Sequence, residues 1–142
     1  MRISAKTEYA SLAMLELAAS FDADEPVRIR DIADKHGIPP RYLVQILLQL
    51  KVAGLVNSTR GAAGGYQLAR SPDEISLADI VTVIEGAESE SARSGVRASA
   101  SIAALRSTWA EIDAVERDML AAVSLADLAE RAHGGVENMY YI

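Results

Sequence analysis

The sequence contains no cysteine, which removes disulfides, thiolate nucleophiles and cysteine-ligated metal centres together. It also lacks any uninterrupted apolar run of the roughly 18 residues that a membrane-spanning helix requires. His36 and His133 are the only 2 histidines, and they fall in different predicted elements. Each reads as a helix-end residue, so no general base, metal set or cofactor site is expected and the chain is not expected to be an enzyme. Carboxylates are missing locally: residues 36–70 hold four basic side chains and no acidic one, in a chain with 20 Asp and Glu.

That gap qualifies the formal net charge of −6. Residues 1–70 carry nine Lys and Arg against seven Asp and Glu, while residues 71–142 carry five against thirteen. A neutral-to-basic first half with an acid-free stretch is a surface kept clear for an anion. The acidic second half would discourage indiscriminate adhesion to DNA, whose non-specific affinity is mostly electrostatic. The start, Met1-Arg2-Ile3-Ser4-Ala5-Lys6, runs straight into a patterned segment containing Glu8 and Glu16. It is unlike the apolar middle of a secretory signal, and a soluble cytoplasmic protein with no membrane partner is expected.

The pattern predicts mainly helix with one small β-hairpin. Ser4 caps a first helix to about Ser20, with Tyr9, Leu12, Ala13, Leu15 and Leu17 as its apolar stripe and Glu16 outward. After a polar loop, Phe21 to Pro26, and a short extended piece, Val27 to Ile29, a second helix opens at Arg30-Asp31. It ends at Gly37, a suitable C-terminal cap, with Ile32 and Ala33 inward. Pro40 suits the first position of a third helix, which runs to about Ala53 with Leu43, Ile46, Leu47 and Leu50 buried. Two helices joined by Gly37-Ile38-Pro39 match the turn of a helix-turn-helix. Leu55 to Thr59 and Tyr66 to Arg70 flank the glycine-rich segment Arg60 to Gly65 as a hairpin. Alone, it reads equally well as an ordinary meander turn; directly after a basic helix, it reads as a wing.

Ser76-Leu77-Ala78-Asp79 and Ser124-Leu125-Ala126-Asp127 each have the form of a capping box, opening helices to about Glu85 and Ala132. Residues 86–101 are small and polar and read as a flexible loop, and Glu85, Glu88 and Glu90 as a solvated charge cluster. Ile102, Leu105, Trp109, Ile112 and Met119 then recur at spacings of three and four, interrupted at Glu116, on one long helix. That stripe serves either as core for its own domain or as a dimer seam. A frayed tail is expected from Gly134. The domain reading is thus 1–85, a winged helix-turn-helix; 86–101, a loop; 102–133, a dimerisation helix and a final short helix; and 134–142, a tail.

The candidate chemistry is DNA recognition. A recognition helix offers its N-terminal residues to base edges in the major groove, here Pro39, Pro40, Arg41, Tyr42, Val44 and Gln45. Arg41 and Gln45, four apart, share the face opposite the buried leucines. Arg pairs with guanine O6/N7 and Gln with adenine N6/N7. Arg60, followed by Gly61, stands where a wing tip enters a narrow minor groove. Arg2, Ser4, Lys6 and Tyr9 are placed to hold phosphates. Any one of these has an ordinary reading as a solvated side chain, and it is their convergence on one groove that points to duplex DNA. The alternative is a winged helix that serves as a protein-interaction module, docking through its acidic half. The acid-free stretch speaks against it, because a protein-docking surface has no need to exclude carboxylates. A phosphate-binding nucleotide loop is excluded at Gly61 to Gly65, which lacks the Gly-Lys-Ser/Thr ending and leads into a strand.

Residues 1–10 (MRISAKTEYA), Ile32-Ala33 with Gly37-Ile38, Tyr42 to Leu47, Leu50 to Val56 and Arg60 to Ala69 together resemble the Rrf-two family of winged-helix regulators, which includes the iron–sulfur regulator IscR and the nitric-oxide sensor NsrR. The resemblance covers about residues 1–85 in register, with a dimer helix behind. It implies a homodimeric transcriptional regulator, typically a repressor, on a near-palindromic operator. It implies that Arg41 and Gln45 read bases, that Arg60 enters the minor groove, and that Arg2, Ser4, Lys6 and Tyr9 touch backbone. Cluster-binding members place three cysteines in the loop that corresponds to residues 86–101, where this chain has Ser, Ala, Gly, Glu, Val and Arg. Without thiolates no cluster is expected, so the signal is left to an unknown small-molecule or protein effector. A pocket between the wing domain and the dimer helix is one place for it, with Trp109 as a wall or, more in keeping with its size, as core.

Overall fold

In the computed structural model, residues 2–86 and 95–140 are described, and they form six α-helices, a 3₁₀ turn and a two-stranded hairpin. Ser4 starts α1 (Ala5–Ala19) by accepting a hydrogen bond on its side chain from the Thr7 amide at 3.1 Å. α2 (Ile29–His36) and α3 (Pro40–Val52) follow, with Pro40 at the first turn of α3 where a missing N–H costs nothing. Between them Gly37 adopts φ 67°, ψ 30°, a left-handed conformation that a side chain resists. The Ile38 amide then bonds back to the Ala33 carbonyl at 3.1 Å, and Ile38 is driven into the core.

Strands β1 (Val56–Thr59) and β2 (Gly65–Leu68) pair antiparallel, from Val56 opposite Leu68 to Thr59 opposite Gly65. Val27 adds a third extended segment, exchanging two 2.8 Å backbone hydrogen bonds with Tyr66. The close approach is possible because residue 65 is glycine: at its φ of 154° a Cβ would lie 2.5 Å from the Val27 carbonyl oxygen. After the 3₁₀ turn at Pro72–Glu74 come α4 (Leu77–Glu85), α5 (Ala100–Ala121) and α6 (Leu125–Tyr140).

Both expected capping boxes form. The Ser76 amide donates to Asp79 Oδ2 at 2.9 Å, and the Asp79 amide donates to Ser76 Oγ at 3.2 Å. The Ser124/Asp127 pair repeats this with both distances at 3.0 Å. The two serines also face each other in an antiparallel bridge. The flanking bonds run from the Leu77 amide to the Val123 carbonyl and from the Leu125 amide to the Ile75 carbonyl, each at 2.9 Å. The chain therefore leaves the body after α4 and is stitched back to it at Ser124.

Leu43, Ile46, Leu47 and Leu50 of α3 are fully buried, together with Ala10, Ala13, Met14 and Leu17 of α1, Ile32, Leu55, Ile75, Ile80 and Leu125. Two sequence expectations shift here. In α1, Ala10 and Met14 are fully buried while Tyr9, Leu12 and Leu15 are half-buried at the edge of the core. α1 is enclosed by α3, α4, α6 and β2, so its buried sector is set by neighbours and not by its most apolar stripe. The final helix, expected to stop at Ala132 before a frayed tail, continues through Gly134 and Gly135 to Tyr140. Docking of Leu125 and its capping box anchor its first turn, which offsets glycine's helix penalty of about 1 kcal/mol per residue.

α5 behaves differently. None of its residues is buried, and Leu105, Trp109, Ile112, Val115 and Met119 are 48–69% exposed. Trp109 is thus not part of the core. Val115 continues the apolar stripe across the interruption expected at Glu116. The helix begins at Ala100, capped by Ser99, whose side chain accepts from the Ile102 amide. Half of the expected loop at 86–101, Glu88 and Glu90 included, lies outside the described residues.

Candidate nucleic-acid interface

With its inner leucines committed to the core, α3 turns Arg41, Tyr42, Val44, Gln45 and Leu48 outward. The Arg41 guanidinium carbon lies 5.6 Å from the Tyr42 ring centroid, a cation–π distance that orients the arginine on the helix surface. Tyr42 and Gln45 then meet Ala5, Lys6 and Tyr9 of α1 along one open cleft of about 430 Å³. Residues distant in sequence, predicted separately as base-reading and phosphate-holding, are therefore brought to one surface.

The wing supplies the other part. Arg60 is exposed at the end of β1, and Gly61 takes φ 105° to begin the tip. The Gly64 amide closes the turn on the Gly61 carbonyl at 3.0 Å. Arg28, which no local motif singles out, donates from its guanidinium to the Ala62 carbonyl at the tip. Gln67 holds the wing from the other side, donating to Asp24 Oδ1 at 3.0 Å. Arg2 lies exposed just before α1, and Pro40 is exposed at the start of α3.

Ser4 has a structural occupation. Its hydroxyl donates to Thr7 Oγ1 at 3.1 Å as well as accepting from the Thr7 amide. Thr7 is buried, and its own hydroxyl donates to Glu85 Oε1 at 2.8 Å, which also accepts from the Ser4 amide at 3.3 Å. Glu85 is thus not a solvated member of a charge cluster; it ties the end of α4 to the start of α1. No local signal marks this link, because Thr7 and Glu85 are 78 residues apart. Hydrogen bonds from Ser4 and then Thr7 hold the Glu85 carboxyl below its ordinary value. A depressed carboxyl stabilises the fold above its unfolded pKa, and that contribution is lost as pH falls through the folded one. Glu85→Gln is expected to lower the melting temperature at pH 7 by roughly 3–5 °C, the response to about 1 kcal/mol in a domain of this size. The deficit should close as the medium is acidified below about pH 4. Thermal melts across pH test this, and an equal deficit at pH 3 and pH 7 would refute the charge-dependent link.

On the far side of α1, Glu16 accepts from His36 Nε2 at 2.8 Å and from Lys35 Nζ at 2.9 Å. It is not simply outward. Burial raises its pKa, and the Lys35 and His36 partners outweigh that and lower it. His36 is thereby accounted for as a structural helix-end residue. Among the described residues, no helix is long and apolar enough to cross a membrane and no group of three or more metal-ligating side chains occurs.

Helix-turn-helix, hairpin wing and the exposed helix α5 match a known arrangement. Residues 3–131 match the Rrf2 model, described as an iron-dependent transcriptional regulator. The chain belongs to the Rrf2 family. Rv1287 of Mycobacterium tuberculosis is 41% identical over 132 residues, covering 91% of this chain and 81% of that one. CymR, an HTH-type transcriptional regulator of Bacillus subtilis, is 36% identical over 151 residues and the full length of both. Among solved structures, IscR of T. potens superposes with a TM-score of 0.76 at 33% identity, covering 93% of this chain and 88% of that one. As an Rrf2 protein with a winged helix-turn-helix, it is a DNA-binding transcriptional regulator. The iron in the family description does not fit a thiolate-ligated cluster here, since there is no cysteine to hold one.

Proposed function

We propose that this Rrf2 protein is a cytoplasmic homodimeric repressor, with no catalytic role, whose two winged helices occupy the half-sites of a near-palindromic operator. The observation that carries this reading is the common surface formed by Lys6, Tyr9, Tyr42 and Gln45 beside Arg41. Arg41 and Gln45 read base edges, Lys6, Tyr9, Tyr42 and Arg2 hold backbone, and Ser4 and Pro40 set the two helix starts at the phosphates. Arg60 with Gly61 enters the flanking minor groove, steadied by Arg28. The apolar stripe of α5 packs against its symmetry mate, which sets the half-site spacing.

A small molecule or a protein partner sets the DNA affinity. CymR has been solved as the global cysteine regulator of B. subtilis, which makes cysteine the first small molecule to titrate. Fluorescence anisotropy with the duplex upstream of the chain's own gene, against a scrambled duplex over a salt series, tests the reading. Preferential binding that weakens steeply with salt is expected. Equal, feeble binding to both duplexes with and without effector would overturn it.

A further inference from the structure

The outward face of α3 is not uniformly polar. Val44 is 48% exposed and Leu48 56% exposed, on the sector that carries Arg41 and Gln45 and opposite the buried Leu43, Leu47 and Leu50. Neither belongs to the core, so the fold does not demand an aliphatic side chain at either position. The spacings 41–44–48 and 41–45–48 alternate three and four, placing both aliphatics in one row with the two polar readers. From Arg41 to Leu48 the row runs roughly 10 Å along the helix axis, about three base-pair steps at 3.4 Å. No acidic residue interrupts residues 36–70, so the row continues the DNA-facing surface. The one apolar group that a duplex displays in its major groove is the C5-methyl of thymine.

We propose that Val44 and Leu48 read thymine methyl groups, so that the operator half-site carries thymines beside the bases paired with Arg41 and Gln45. This rests on the DNA-binding reading above and adds to it a base preference enforced by shape and desolvation, without hydrogen bonds. Water held between an aliphatic side chain and a bare pyrimidine edge gains nothing in return, whereas a methyl fills the space.

The test uses the full-length protein and the duplex it enriches from a randomised pool, with each thymine of the enriched motif replaced singly by deoxyuridine. Loss of one methyl that the protein touches is expected to weaken wild-type binding roughly fourfold, as burial of a single methyl implies. Val44→Ala and Leu48→Ala should each become indifferent to deoxyuridine at one position while keeping a wild-type circular dichroism spectrum. An enriched motif without thymines, wild-type binding equal on thymine and deoxyuridine, or alanine variants that stay as sensitive as wild type would each overturn the proposal and leave operator recognition standing. Failure to enrich any motif would instead strike the DNA-binding reading beneath it.

Discussion

Ile112→Glu is expected to convert the protein to a monomer and to lower operator affinity by on the order of a hundredfold or more. Ile112 is 60% exposed at the middle of the α5 stripe, with Trp109 and Val115 at 59% and 60% on either side. In a symmetric seam each substitution is felt twice, because the same patch serves both partners. Two glutamates would then have to be desolvated near each other without a counter-charge, at a cost of several kcal/mol. With the dimer gone, the second half-site is no longer bound intramolecularly, and that effective concentration is commonly worth 10²–10⁴ in avidity. Because α5 contributes nothing to the core, helicity should change little. Light scattering with a parallel anisotropy titration checks both parts. A variant that still elutes as a dimer would remove α5 as the seam.

Arg41→Ala should weaken binding to the preferred duplex by about five- to 150-fold, the 1–3 kcal/mol associated with a bidentate arginine–guanine pair. Binding to scrambled DNA should change far less, so the specificity ratio collapses along with the affinity. Lys6→Ala, in the cleft that Tyr42, the ring beside Arg41, also lines, provides the contrast. Removing a phosphate-neutralising ammonium there should weaken both duplexes alike and reduce the salt slope by about one. Affinities at four salt concentrations on matched and single-mismatch duplexes separate the two behaviours. If Arg41→Ala instead lowered both affinities equally, Arg41 would be a backbone contact and Gln45 the principal reader.

Most of the winged helix is legible in the sequence because its signals are short-range. Pro40 at the head of α3, Gly37 after α2, the leucine row of α3 and both Ser-x-x-Asp boxes are decided within a few residues, and each forms where its signal lies. What escapes depends on long-range juxtaposition. Nothing near residue 28 announces that Arg28 meets the Ala62 carbonyl, and nothing near residue 85 announces Thr7 and Ser4. Periodicity draws the stripe of α1 through its largest apolar side chains. Burial goes instead to Ala10 and Met14, which lie on the sector that α3, α4, α6 and β2 enclose. The two glycines of α6 suggest an early stop, but their propensity cost is smaller than what tertiary docking supplies. The candidate interface residues can be named one by one; the cleft joining Lys6 and Tyr9 to Tyr42 and Gln45 exists only once α1 and α3 are packed together.

The stitching of Ser124 to Ser76 also fixes an order of events on the ribosome. Leu125 is completely enclosed in the core and its amide completes the bond to Ile75, yet roughly 40 residues separate it from the end of α4. At about 5–20 residues per second, synthesis of that interval takes some 2–8 seconds. During that time the nascent DNA-binding body waits for its last wedge while α5 emerges ahead of it. The stripe of Leu105, Trp109 and Ile112 is therefore synthesised before the residue that closes the body.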